Sequence, residues 1–213
     1  MKLGRGARQG PGMRPARSMK LLVCVLAGAL LLAGCATGKD AVAVGGQFQF
    51  VAPGGKQIIF YDPPASRGKL ASFSGPSVLH PPGNVGIENY PGQIVIINIW
   101  GAWCGVCRPE MADLQFIKNQ MAGSGVDVLG VDIRDSPDAA RDFAQGAGIA
   151  YDSIFDPPGR VLLELQGYPR NVVPSTIVLD RQHRVAAVYL TRIPLANLGS
   201  LIERLKSEPA VAG

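Results

Sequence analysis

Histidine is nearly missing from this chain, with two in 213 residues, and cysteine is sparse, with four. So little histidine argues against a histidine-built metal centre. Neither His80, ahead of Pro81-Pro82, nor His183 in a turn has ligand spacing to the cysteines, and both read as surface residues. Arg108 rather than histidine follows Cys107, so the haem-attachment pattern CxxCH is absent too. Neither a metal nor another cofactor is expected. The chain lacks a sustained basic face as well. Its formal charge of +5 comes from six bases before residue 21, and from Cys35 onward 15 bases meet 16 acids, which excludes nucleic acid as an expected partner. There is no internal repeat, and 47% hydrophobic content over this length suits one globular domain.

What is present centres on residues 94–110, IVIINIWGAWCGVCRPE. A continuous apolar run, Ile94 to Trp100, reads as a buried strand; it stops at Gly101. Met111, Leu114, Ile117 and Met121 then recur at helical spacing. Cys104 and Cys107 therefore fall where a helix should start, beside unpaired backbone N–H groups and the positive end of the helix dipole, a setting that favours thiolate. Two sulfurs at this spacing can close a small ring, so dithiol and disulfide are both accessible and electrons can pass to another disulfide. Cys104, in the turn, is the candidate nucleophile, and Cys107, further in, the candidate resolving thiol.

Six bases, an apolar run from Leu21 to Ala33 that is short for a membrane span, and then small residues describe an export signal. Leu32-Ala33-Gly34-Cys35 resembles the lipobox of bacterial lipoproteins, which implies cleavage before Cys35 and lipid on that residue. An uncleaved anchor is the alternative; both put the domain outside the cytoplasm. Cys24 lies in the apolar run and would leave with the signal. A complete short signal already starts at Met19, so the first 18 residues read as an upstream start. The expected organisation is a signal at 1–34, a lipidated tether at 35–46, a domain at 47–206 and a loose tail at 207–213.

Within the domain, Gln47–Ala52 and Gln57–Tyr61 around Pro53-Gly54-Gly55-Lys56 predict a hairpin, and proline and glycine confine residues 62–92 to short strands and loops. Residues 126–133 predict a second core strand. Ser136-Pro137 starts a helix with an apolar stripe at Ala140, Phe143, Ala144 and Ala147. Residues 151–155 suggest a short strand and 160–166 a short helix. Residues 175–179 and 184–190 suggest an antiparallel pair, and Leu195 to Leu205 a closing helix. The sum is an α/β sandwich with a mixed central sheet, helices on both faces and an N-terminal β-hairpin. Functional groups in such sheets gather beyond the carboxyl ends of central strands, where Cys104 lies.

Trp103-Cys104-Gly105-Val106-Cys107 after an apolar strand, with Val173-Pro174-Ser175-Thr176 before a later one, resembles the thioredoxin superfamily. Asn98 to Cys104, Arg108 and Glu110 resemble its extracytoplasmic TlpA/ResA-like branch. The resemblance implies a thioredoxin-like fold, a redox-active Cys104–Cys107 disulfide and a cis Val173–Pro174 bond packed on it. The Val173 backbone would then be free to pair with substrate, and Trp103 would cover the disulfide. It also implies an acid near the site. Thioredoxins of the cytosol carry a buried aspartate where this chain has Asn98, so proton transfer passes to Glu110, one turn after Cys107; an exposed glutamate at a helix start is the alternative. Val106 replaces the commoner proline, which leaves the direction of electron flow open.

The expected function is membrane-anchored reduction of disulfides in exported proteins, such as apocytochrome c during cytochrome c maturation. Electrons would come from a membrane thiol donor of the CcdA/DsbD type, and the protein would sit on the outer face of the bacterial cytoplasmic membrane. The rivals are an extracytoplasmic oxidant or isomerase and, in another class, a non-enzymatic lipoprotein that binds through thiols or carries copper. For the anchor, cells fed labelled palmitate should label the wild-type protein and not Cys35→Ala, which should run as the uncleaved precursor; label persisting on the variant refutes lipidation at Cys35.

Overall fold

The computed structural model describes residues 46–209, so the signal, Cys24, Cys35 and the tether before Gly46 lie outside the described residues. Its centre is the apolar run, now β4 (Ile94–Trp100), buried at all seven positions. A strand with two dry faces needs cover on both. β4 pairs in parallel with β5 (Val126–Asp132), Ile94 opposite Val126 and Trp100 opposite Asp132, and β5 in turn with β6 (Ser153–Phe155). On its other side β4 runs antiparallel to β7 (Ser175–Leu179), which pairs with β8 (Val185–Tyr189), and β8 with β1 (Ile58–Phe60). The order β1-β8-β7-β4-β5-β6 is the mixed sheet the sequence predicts.

Alternation along β4 divides the core. Ile94, Ile96 and Trp100 join α1 (Cys107–Gln120), α2 (Pro137–Gly146) and α3 (Leu195–Ser207) through Met111, Leu114, Ala140, Ala144, Leu198 and Ile202. Two successive parallel crossovers of one hand put α1 and α2 on the same side. Val95, Ile97 and Ile99 face the opposite side, covered by Phe48, Tyr61, Leu70 and the single 3-10 turns Ile87–Asn89 and Val161–Leu163. The helices of the second face are thus one turn long. The expected helix at 160–166 stops after one turn, with buried Val161, Leu162 and Leu165 held to the sheet while Leu163 is exposed. Ser136 caps α2 as expected, its hydroxyl accepting from the Ala139 N–H at 3.3 Å.

The N-terminal hairpin is not where the sequence suggests. Gln47–Ala52 forms no strand with residues 57–61. It crosses the second face, the Phe48 N–H donating to Lys69 O at 2.9 Å and the Phe50 N–H to Gln166 O at 2.8 Å. β1 instead takes the open edge of β8, and residues 47–52 cross the second face to bury Phe48 edge-on against Tyr61. A hairpin does form later, between β2 (Ser74–Pro76) and β3 (Asn84–Gly86). It lies against the opposite edge, where Ser77 bridges Ile154 and the Val78 N–H donates to Ser153 O at 2.8 Å.

Order at the carboxyl end extends past residue 206. Ser207 is helical, and Glu208 makes a two-pronged pair with buried Arg67 at 2.6 and 2.7 Å. Arg67 also donates to Asp180 at 3.2 Å, Asp62 at 3.0 Å and Tyr61 O at 3.0 Å. These contacts satisfy the guanidinium and join residues distant in sequence. Removing one partner of a buried pair leaves the other charge stranded, so Arg67→Ala should lower unfolding free energy by about 3 kcal/mol, read by urea denaturation. A loss under about 0.5 kcal/mol, typical of surface changes, would show the cluster to be dispensable.

Candidate active site

β4 ends at Trp100, and the chain must leave the sheet at Gly101. A side chain there would place its Cβ 2.4 Å from Trp103 Nε1 and 3.0 Å from Ile133 O, so glycine is what lets the indole fold back and donate to Ile133 O at 3.0 Å. The turn then tightens, Cys104 N–H to Gly101 O at 3.0 Å and Cys107 N–H to Cys104 O at 3.1 Å, and α1 starts at Cys107 without a side-chain cap. Cys104 and Cys107 are disulfide-bonded, with Cα atoms 5.3 Å apart. Cys104 keeps 5% of its surface and Cys107 none, while Val106 between them is 59% exposed. Cys104 is thus the less buried of the two, ahead of the positive end of a helix, where thiolate is favoured.

The later proline comes to the same place. Ile99 pairs with Ser175, so one step further sets Pro174 level with Trp100 and Val173 beside the start of the cysteine turn. The Val173–Pro174 bond is cis, and Val173 packs against the cluster that contains both cysteines. Trp103 is 48% exposed, with the Arg134 guanidinium 4.7 Å over its ring. Trp100 is core, stacked on Phe143.

Glu110 is the opposite of an exposed helix-start glutamate. It is fully buried and reaches from α1 to the cross-strand pair Asn98 and Thr176. One carboxyl oxygen accepts from Thr176 Oγ1 at 3.2 Å and the Ile193 N–H at 2.9 Å, the other from Asn98 Nδ2 at 3.3 Å. Burial pushes its pKa up, against the pull of those three bonds and of Arg192. The sequence shows Thr176 only as the end of the Val173–Thr176 motif and gives no sign of its bond to Glu110, and the Ile193 amide carries no signal of its own.

A second buried acid went unnoticed. Asp132, opposite Trp100, has no exposure, and neither carboxyl oxygen has a partner in hydrogen-bonding geometry. Burial, then the nearness of the Asp135 carboxylate and the charge of Asp156, raise its pKa to about 9, which makes it a neutral acid at pH 7. Asp135 in turn accepts the Ala102 N–H inside the cysteine turn. The clue was an acid ending a strand whose other residues are nearly all apolar. His80 is exposed as expected, but His183 is half-buried, its Nε2 2.9 Å from Tyr90 O. Among the described residues no group of three or more potential ligands could hold a metal ion.

A cysteine pair leading into a helix from the central strand of this sheet, faced by a cis-proline loop, defines a thiol–disulfide oxidoreductase with the thioredoxin fold. The chain belongs to the AhpC/TSA family, whose model matches residues 69–188. A secreted thiol-disulfide isomerase from Corynebacterium glutamicum is 42% identical, with a TM-score of 0.72 over 76% of this chain and 99% of that one. The thiol:disulfide interchange protein HelX of Rhodobacter capsulatus is 32% identical over 57% of this chain. The thiol-disulfide oxidoreductase ResA of Geobacillus kaustophilus is 23% identical over 56%. The match spans 63% of HelX and 67% of ResA.

The raised pKa of Asp132 has a stability consequence of fixed sign. The folded state holds a proton that the unfolded state releases near pH 4, so stability is fully present below that pH and is lost as pH rises toward about 9. The advantage of Asp132→Asn over wild type should therefore grow between pH 5 and pH 8, by up to about 1.4 kcal/mol per pH unit. Urea denaturation at both pH values checks this; an equal advantage at both would mean that Asp132 is ionised in the fold.

Proposed function

We propose that the protein is a membrane-anchored reductant of disulfides in exported proteins, held by lipid on Cys35 at the outer face of the bacterial cytoplasmic membrane. The observation that carries the exchange chemistry is a disulfide at one helix start whose two residues are unequally buried, Cys104 keeping 5% of its surface and Cys107 none. In the dithiol form the Cys104 thiolate attacks one sulfur of the target disulfide. A Cys104–target bond forms, the target bond breaks, and the other target sulfur leaves as a thiolate that takes up a proton. Cys107, losing its proton, then attacks Cys104, closes the Cys104–Cys107 bond and releases the first target sulfur. Two electrons have passed to the target, and the protein is oxidised. Its reduction needs a membrane dithiol, for which a donor of the CcdA/DsbD type is suited.

Glu110 assists the proton movements in this reading: a carboxyl with raised pKa one turn from Cys107 can hold the proton that the resolving thiol gives up. Trp103 and the backbone of Val173 flank an extended target segment, with Pro174 fixing the loop. The CxxCH segment of apocytochrome c before haem attachment is a fitting target, which places the protein in cytochrome c maturation. A second reading, disulfide isomerisation, is favoured by the likeness to the Corynebacterium isomerase. The redox potential against that of the compartment separates the two.

Cys107→Ser expressed in intact cells should accumulate mixed disulfides through Cys104, visible as dithiothreitol-sensitive bands on non-reducing gels. Bands with Cys104→Ser and none with Cys107→Ser would reverse the two roles.

A further inference from the structure

A recess of about 460 Å³ opens beside Trp103, lined among others by Ile133, Arg134, Pro157, Arg170 and Asn171. Two of its lining residues connect to the cysteine site. The Ile133 carbonyl holds the Trp103 indole at 3.0 Å, and Asn171 leads within two residues to Val173 of the cis-proline loop. Arg134 is kept at φ 62°, a left-handed conformation that side chains other than glycine avoid, and such outliers gather at functional sites. Its guanidinium lies over the Trp103 ring and reaches the Arg170 carbonyl at 3.4 Å.

Neither Arg134 nor Arg170 belongs to any of the ion pairs among the described residues. The acids close by are engaged elsewhere: Asp135 accepts the Ala102 N–H, and Asp156 the Val161 N–H at 2.7 Å. Two exposed guanidiniums at a concave surface, with no carboxylate of their own, can each take a carboxylate in a forked geometry. We propose that this recess is a specificity pocket for an acidic residue flanking the target cysteine, so that the preferred substrates are disulfide segments bearing aspartate or glutamate beside the cysteine. This rests on the exchange reaction of Cys104 given above. It names the class of segment that reaction selects.

The test is the rate at which peptide disulfides oxidise the pre-reduced full-length protein in a single turnover. Peptides carrying aspartate or glutamate beside the cysteine should react about tenfold faster than those carrying asparagine or glutamine, with the ratio shrinking as salt is added. In R134Q/R170Q the ratio should fall to near one. A wild-type ratio of one at low salt, or a ratio unchanged in the double variant, overturns the pocket and leaves the exchange reaction standing. Should the variant not fold, the wild-type ratio and its salt dependence decide the matter. If neither these peptides nor neutral hydroxyethyl disulfide oxidises the protein, the exchange reading itself fails and takes the pocket with it.

Discussion

The molecule depends on a strand that meets no water. β4 is buried along its whole length, and such a strand holds its position only if both faces and both ladders are occupied. The helices fill one face, the crossing N-terminal segment and the one-turn helices fill the other, and β5 and β7 take the ladders. Everything chemical is delivered from its far end. The cysteine turn begins one residue after Trp100, Asp132 sits opposite that tryptophan, and the cis-proline loop lies alongside. Rigidity of the strand is therefore rigidity of the site.

Two carboxylic acids are fully buried, Glu110 one turn after Cys107 and Asp132 opposite Trp100, and their environments differ. Glu110 has three donors directed at it, which oppose the cost of its burial. Asp132 has none, and its neighbours are other acids. In the first, the donors and Arg192 pull down the pKa that burial raises. The second is held neutral, and its proton removes a charge that would otherwise stand beside Asp135 under the cysteine turn.

Much of this was legible in the order of residues. The apolar run, the glycine that ends it, the cysteine spacing, the Ser136-Pro137 helix start and the proline before Ser175 each act locally, through backbone geometry or periodicity, so sequence alone reveals them. What escaped was non-local. The partner of β1 is chosen by the free edge of β8, about 130 residues away, which no pattern in residues 47–61 reports. Glu110 was ambiguous for the same reason: its burial is decided by Thr176 and Ile193, which belong to other elements. Asp132 and Arg134 acquire their character from what the fold sets around them, a sealed strand end in one case and an open recess in the other.

One margin of the sheet is short and the other covered. β1 is only three residues long, and beyond β6 the small β2–β3 hairpin occupies the edge through Ser77 and Val78. A bare strand edge would seed end-to-end polymers of neighbouring copies. With these margins short or covered, the sheet offers little free edge to which extended chain could add. Copies can therefore be crowded together with little pairing of one sheet edge on another.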